Sequence, residues 1–191
     1  MEPRGSELVS RYKTNYSIPA DAPVTEEMVL AHWDLEKRLT RRLLESKPET
    51  RWQTFDDCYT QLYEQFAWLN ELTGADQKSS PDEKYGKWLR AIGPAPKSIY
   101  EVGSGKAEMI SYFASRAYFC RATEVTRERG EKHVKDSVPN LTWAVSDGVH
   151  LGEFEQAGSF DVVISDQVLE HLHPDDVVLH LRGVLEILKP N

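Results

Sequence analysis

The feature that most constrains this chain is a change of rhythm at Ser98. From there, short apolar runs alternate with stretches of helical spacing: 98–102, 118–124, 141–146 and 160–165 read as strands, and 106–115, 127–137 and 175–188 as helices. Strands that alternate with helices imply right-handed crossovers and a parallel sheet covered on both faces.

The chain before Ser98 is punctuated by Pro and Gly and shows no internal repeat. Its first two dozen residues, through Tyr12, Tyr16, Pro19 and Pro23, read as an extended arm. A helix is expected from an N-cap at Thr25, with Glu26 and Glu27 in its first turn, to about Ser46. Met28, Leu35, Leu39 and Leu43 form its apolar stripe, and His32 fills the missing step. A second helix over 50–70 sets Trp52, Phe55, Tyr59, Leu62, Phe66 and Leu69 on one face, which must be buried. Ser80-Pro81-Asp82-Glu83 is a capping box that opens a short third helix through Tyr85, Trp88, Leu89 and Ile92, ended by Gly93-Pro94-Ala95-Pro96.

Composition narrows the class. With 40% apolar and 28% charged residues the chain is an ordinary globular protein. No run approaches a bilayer span and the first ten residues lack an apolar signal core, so a cytoplasmic location without membrane partners is expected. Cys58 and Cys120 stand far apart without metal-ligand spacing, which suggests two buried free thiols, no disulfide and no zinc. The formal net charge of −8 disfavours nucleic acid as a partner. The basic group Lys37, Arg38, Arg41 and Arg42 has Glu36 and Glu45 nearby and reads as a solvated helix face.

The chemistry is carried by Glu101-Val102-Gly103-Ser104-Gly105-Lys106-Ala107, where the first strand turns into the following helix. Glycines there let a ligand approach the backbone, and the helix start offers free N–H groups. A dinucleotide fingerprint would need a third glycine at 108, where the chain has Glu108, and no Gly-Lys-Ser/Thr follows at phosphate-loop spacing. The segment resembles motif I of the class I S-adenosylmethionine-dependent methyltransferases, with Ala107 standing for the last glycine. The match continues in register: Glu124 closes the second strand, Asp147-Gly148 follows the third, and 160–172 closely resembles the fourth-strand motif of the small-molecule, quinone-biosynthesis-like branch. The resemblance covers about residues 97 to 190.

That resemblance implies S-adenosylmethionine as cofactor, held by Glu101, Gly103, Ser104, Gly105, Glu124, Val125, Asp147, Gly148, Ser165 and Gln167. In the family the acid at Glu124's position takes both ribose hydroxyls and the acid at Asp147's position receives the adenine amino group. Singly, Glu124 is equally readable as an ordinary carboxylate and Asp147 as a cap for the next turn. Asp166, His171 and His173 follow the fourth strand and are candidates for acceptor contact or proton removal; as alternatives, His171 caps the loop and His173 merely precedes the next helix start. Some relatives bind a divalent metal through Glu-x-x-Glu-His here, but Gln167 replaces the first Glu and no metal is expected. Tyr12, Tyr16 and Trp33 are lid candidates, with core packing as the alternative.

The expected fold is therefore α/β: a partial Rossmann-like doubly wound parallel sheet, strand order 3-2-1-4, with an all-α N-terminal cap. Residues 1–96 form the arm and cap and 97–191 the cofactor domain, incomplete at its C-terminus. The family pattern continues with further strands after a Lys-Pro-Gly-type turn, so strand four is expected to be an exposed edge and a route to self-association. The expected function is methyl transfer to an unidentified small-molecule acceptor. A non-catalytic binding or scaffold protein on the same fold is the alternative.

Overall fold

A computed structural model describes residues 4–74, 79–125, 127–134 and 138–190. The chain forms two compact units, Met1–Lys78 and Ser79–Asn191.

The first unit is helical: α1 (Gly5–Asn15), α2 (Glu26–Leu44), α3 (Arg51–Gln65) and α4 (Ala67–Leu72). Residues 5–15 are a helix rather than part of an extended arm. Leu8 and Tyr12, four apart, fall on one helical face, and both are buried in the unit's core. α2 starts as expected, with Thr25 Oγ1 accepting from the Met28 N–H at 3.3 Å. Its buried stripe is Val29, His32, Leu35 and Leu39. The single helix expected over 50–70 breaks at Phe66 (φ −124°, ψ 54°). Its buried face is also rotated from the expected one: Arg51 and Cys58 turn inward on α3 while Trp52 is 40% exposed. Phe66 and Leu69 are buried on either side of the break.

The polar centre of this core is His32, fully buried, whose Nδ1 lies 2.9 Å from the Tyr12 hydroxyl and whose Nε2 lies 3.3 Å from Glu36 Oε1. Tyr16 stacks on Tyr12 with ring centroids 4.5 Å apart, and Phe66 meets His32 edge-on at 5.5 Å. Burial first, then the neighbouring Tyr16 and Glu36, hold the Tyr12 hydroxyl well above the usual phenol range.

The second unit opens with α5 (Pro81–Ile92) and both arms of its capping box: Glu83 N–H donates to Ser80 Oγ at 3.3 Å and Ser80 N–H to Glu83 Oε2 at 2.8 Å. There follow β1 (Ser98–Val102), α6 (Glu108–Ala114), β2 (Phe119–Glu124), α7 (Arg127–Gly130) with the 3-10 turn Glu131–His133, β3 (Leu141–Val145), α8 (Leu151–Phe154), β4 (Val162–Ser165) and α9 (Val177–Ile187). The strands are parallel in the order β3-β2-β1-β4, as the sequence implies. The short helix α8 was not expected, and residues 135–137 of the expected helix over 127–137 lie outside the described residues.

Both faces of the sheet are covered, and β1 shows why. Ile99 joins Ile110, Phe113, Ala122 and Ile164 on one face; Tyr100 and Val102 join Leu151, Phe160 and Ile187 on the other. Cys58 and Cys120 are buried free thiols, and burial pushes the Cys120 thiol up to about 12. At the N-terminal rim of the sheet, Asp161 Oδ2 accepts from the Ser98 N–H (2.7 Å), Ser98 Oγ (2.7 Å) and Lys189 Nζ (2.9 Å), which pulls its carboxyl down to about 2. Outside β4, Phe160 and Leu188 form a parallel bridge, and no further strand lies there among the described residues. Among those residues, no helix is long and apolar enough to cross a membrane.

Candidate functional site

Parallel strands bring their C-terminal ends to one rim, where Glu101 pairs in register with Ala122 and Ile164, and Glu124 with Val145. The loop after β1 is built of left-handed residues: Gly103 (φ +64°), Gly105 (+53°) and Ala107 (+55°). A Cβ on Gly103 would stand 2.9 Å from Val168 Cγ2, so the segment after β4 closes over that glycine. A Cβ on Gly105 would meet nothing within 4 Å, which leaves space for a ligand above the loop. Ala107 is tolerated in packing, yet its departure from glycine carries a backbone cost of roughly 1–2 kcal/mol for the left-handed conformation.

Side chains of β2 fix this loop. Ser104 donates to Thr123 O through its N–H (2.8 Å) and its Oγ (3.2 Å), and Thr123 Oγ1 donates to Glu101 O at 2.7 Å. Glu124 Oε1 accepts from the Gly105 N–H and Oε2 from the Val125 N–H, each at 3.0 Å. The carboxylate of β2 therefore sits directly against the glycine loop of β1.

Glu101 is the electrostatic centre. It is 5% exposed, and its Oε2 has no hydrogen-bond partner among the described residues. Burial, reinforced by the charges of Asp166 and Glu124 and opposed by the Ile110 N–H, pushes its carboxyl up to about 8. Two acids, at the ends of β2 and β4, thus act on the buried acid of β1. The arrangement favours a cation in the cleft, since an added positive charge would relieve Glu101.

The loop after β3 holds Asp147 with its own groups. Asp147 Oδ1 accepts from the Val149 and His150 N–H groups, both at 2.8 Å, and Oδ2 lies 2.8 Å from His150 Nδ1. The capping role weighed for Asp147 is therefore present, and the carboxylate's partnership raises the His150 imidazole above its ordinary range. Gly148 (φ +72°) reaches back to β1, where a Cβ on it would lie 3.4 Å from Val102 Cγ1. Beyond β4, Ser165 Oγ is buried without a hydrogen-bond partner among the described residues, and Gln167 is exposed in a left-handed conformation (φ +57°). Asp166 is exposed, and His171 is exposed in the 3-10 turn Leu169–His171. His173 Nδ1 accepts from the Asp175 N–H at 3.2 Å, so this ring caps the turn into α9. Sequence reasoning singled out neither His150 nor Val168. His150's spacing of three from Asp147 was the available clue.

With this geometry in place, the comparisons show what the chain is similar to. Residues 100–191 match a family described as a methyltransferase domain. The fold is that of S-adenosylmethionine-dependent methyltransferases.

The chain resembles solved structures at low identity. A TehB-like SAM-dependent methyltransferase from Corynebacterium glutamicum is 20% identical, with a TM-score of 0.50, over 69% of this chain and 68% of that one. A putative S-adenosylmethionine-dependent methyltransferase from Methanococcus maripaludis is 17% identical, with a TM-score of 0.48, over 55% of this chain and 48% of that one. YcgJ from Bacillus subtilis is 20% identical, with a TM-score of 0.48, over 55% and 45%. The chain thus spans about two thirds of the first structure and about half of the other two. No curated protein matches the chain. S-adenosylmethionine is the cofactor of this family, and the residues present fit it: the open space above Gly105 and the unpartnered Glu101 Oε2 suit a ligand that carries positive charge.

Proposed function

We propose that the chain transfers a methyl group from S-adenosylmethionine to a small-molecule acceptor. The observation that carries this reading is Glu101, a buried carboxylate whose Oε2 has no hydrogen-bond partner among the described residues, beside a glycine loop with open space above it. When bound, the cofactor supplies a methyl on a sulfonium for in-line displacement. The protein's task is then to align acceptor and methyl and to keep water out.

In this reading Glu101 answers the ammonium of the cofactor's amino-acid end, and Gly103, Ser104 and Gly105 let the ligand lie against the backbone. Glu124 exchanges its loop N–H partners for two vicinal ribose hydroxyls, which one carboxylate accepts together. Asp147 and Gly148 flank the base, and Val125, Ser165 and Gln167 line the approach. Where the acceptor must lose a proton, Asp166 and His171 are the groups that take it, while His173 holds the turn.

Titration of the full chain with S-adenosylhomocysteine tests this. Micromolar binding is expected, with a loss of about 100-fold in Glu124→Ala, the scale of two charge-assisted hydrogen bonds. A folded sample that takes up no ligand at millimolar concentration overturns the assignment. Labelled cofactor incubated with a metabolite extract then reports the acceptor as the species that gains the label.

A further inference from the structure

The loop that carries Asp147 is held from behind by one stripe of α9. His180, 1% exposed, places Nδ1 2.5 Å from the Gly148 carbonyl oxygen. A carbonyl only accepts, so the ring carries its proton on Nδ1. One turn later, Gly183 brings the α9 backbone so close that a Cβ there would stand 2.8 Å from Val149 O and 3.0 Å from Leu151 N. A turn beyond, Ile187 is fully buried in the same cluster as Leu151. Residues 180, 183 and 187 share a helix face, and each meets the segment 148–151.

Gly148 is thereby gripped on both sides. Its N–H donates to Ser146 Oγ at 3.1 Å, and its carbonyl receives His180. Its left-handed backbone sets the direction of the next two N–H groups, those of Val149 and His150, which fix Asp147 Oδ1. A hydrogen bond from α9 therefore fixes the aim of a carboxylate on a different strand's loop. His180 has no other evident purpose: a leucine would fill the apolar side of α9 without the burden of a buried polar ring.

We propose that His180 is a positioning residue for base recognition: through Gly148 it aims Asp147 at the exocyclic amine of the cofactor's adenine. This rests on the cofactor reading above and adds a selectivity determinant to it.

The test compares two ligands on the full chain, S-adenosylhomocysteine and S-inosylhomocysteine, which lacks the amine. Wild type is expected to prefer the adenosyl ligand about tenfold. In His180→Leu that preference falls about five- to tenfold, the scale of one hydrogen bond, while His180→Asn, which keeps an N–H near the Nδ1 position, retains it. Near-ultraviolet circular dichroism checks the fold; should His180→Leu not fold, His180→Gln replaces it, with its donor displaced and the preference lowered. Equal loss for both ligands, an unchanged preference in the variant used, or failure of His180→Asn to retain it overturns the proposal. A wild type that binds both ligands equally also overturns it but leaves the cofactor reading standing, whereas a wild type that binds neither sinks the cofactor reading itself.

Discussion

The two units surround a buried polar group with charges of opposite sense. In the helical unit, His32 sits fully buried between the Tyr12 hydroxyl and the carboxylate of Glu36, 3.3 Å from its Nε2, inside a ring of aromatic side chains. In the sheet unit, Glu101 is almost as deeply buried, one of its oxygens has no hydrogen-bond partner among the described residues, and the charges that act on it, Asp166 and Glu124, are of its own sign. A buried group beside a carboxylate it can pair with serves the fold, whereas an acid among acids costs stability and makes sense where a ligand completes it.

Four substitutions break or sharpen this contrast. The largest effect is expected at Phe113, which is fully buried under the sheet. Phe113→Ala should lower stability by about 3–5 kcal/mol in chemical denaturation and abolish ligand binding with it.

Glu101→Gln comes next and should act in two directions. The folded carboxyl titrates near 8, above its ordinary 4.5, so the unfolded state releases its proton first as pH rises. Wild-type stability should therefore fall between about pH 4.5 and pH 8, and the variant should lack that decline. It should be the more stable protein at pH 8, by on the order of 1–3 kcal/mol, and the weaker ligand binder. Denaturation midpoints that fall equally in both proteins would refute the idea that Glu101 is held for a ligand.

Tyr12→Phe leaves the buried His32 Nδ1 without its hydroxyl partner. It should cost about 1–2 kcal/mol in thermal or chemical unfolding. Affinity for S-adenosylhomocysteine, measured alongside, shows whether the helical unit bears on the cofactor at all.

Asp161→Asn should have the smallest effect at neutral pH, because the side chain is partly exposed. Its signature is in the acid range. The folded carboxyl titrates near 2, below its ordinary 3.8, so its contribution is complete above about pH 4 and lost as pH falls towards 2. The variant should lack that part of the acid unfolding profile.

The sheet unit was the more legible in sequence because its strands and caps are local features. The span 98–102 and the capping box at Ser80 are set by local runs and caps, whose physics is short-range, and the strand order followed from the family resemblance. The helical unit depends on how faces meet. The break at Phe66 and the inward turn of Cys58 belong to packing that no periodicity specifies. α1 is obscured in sequence by the nearby Pro19 and Pro23, although its Leu8–Tyr12 pair has helical spacing. In the candidate site, the acids at 101, 124 and 147 were readable through the family resemblance of their positions at or just after strand ends. Asp147's commitment to its own loop and His180's reach across to Gly148 join residues from separate elements, and no single segment records them.

The clasp of Ser98, Asp161 and Lys189 lies at the rim remote from the loops. It locks the first and fourth strands in step at the end opposite the candidate site. A protein anchored at the heel in this way can accept new residues at the toe: the segment 166–173 can diverge without the strands slipping past one another. An engineer who wished to change what meets that segment should redraw it, and leave the glycine loop, the Asp147 loop and the three anchoring residues alone.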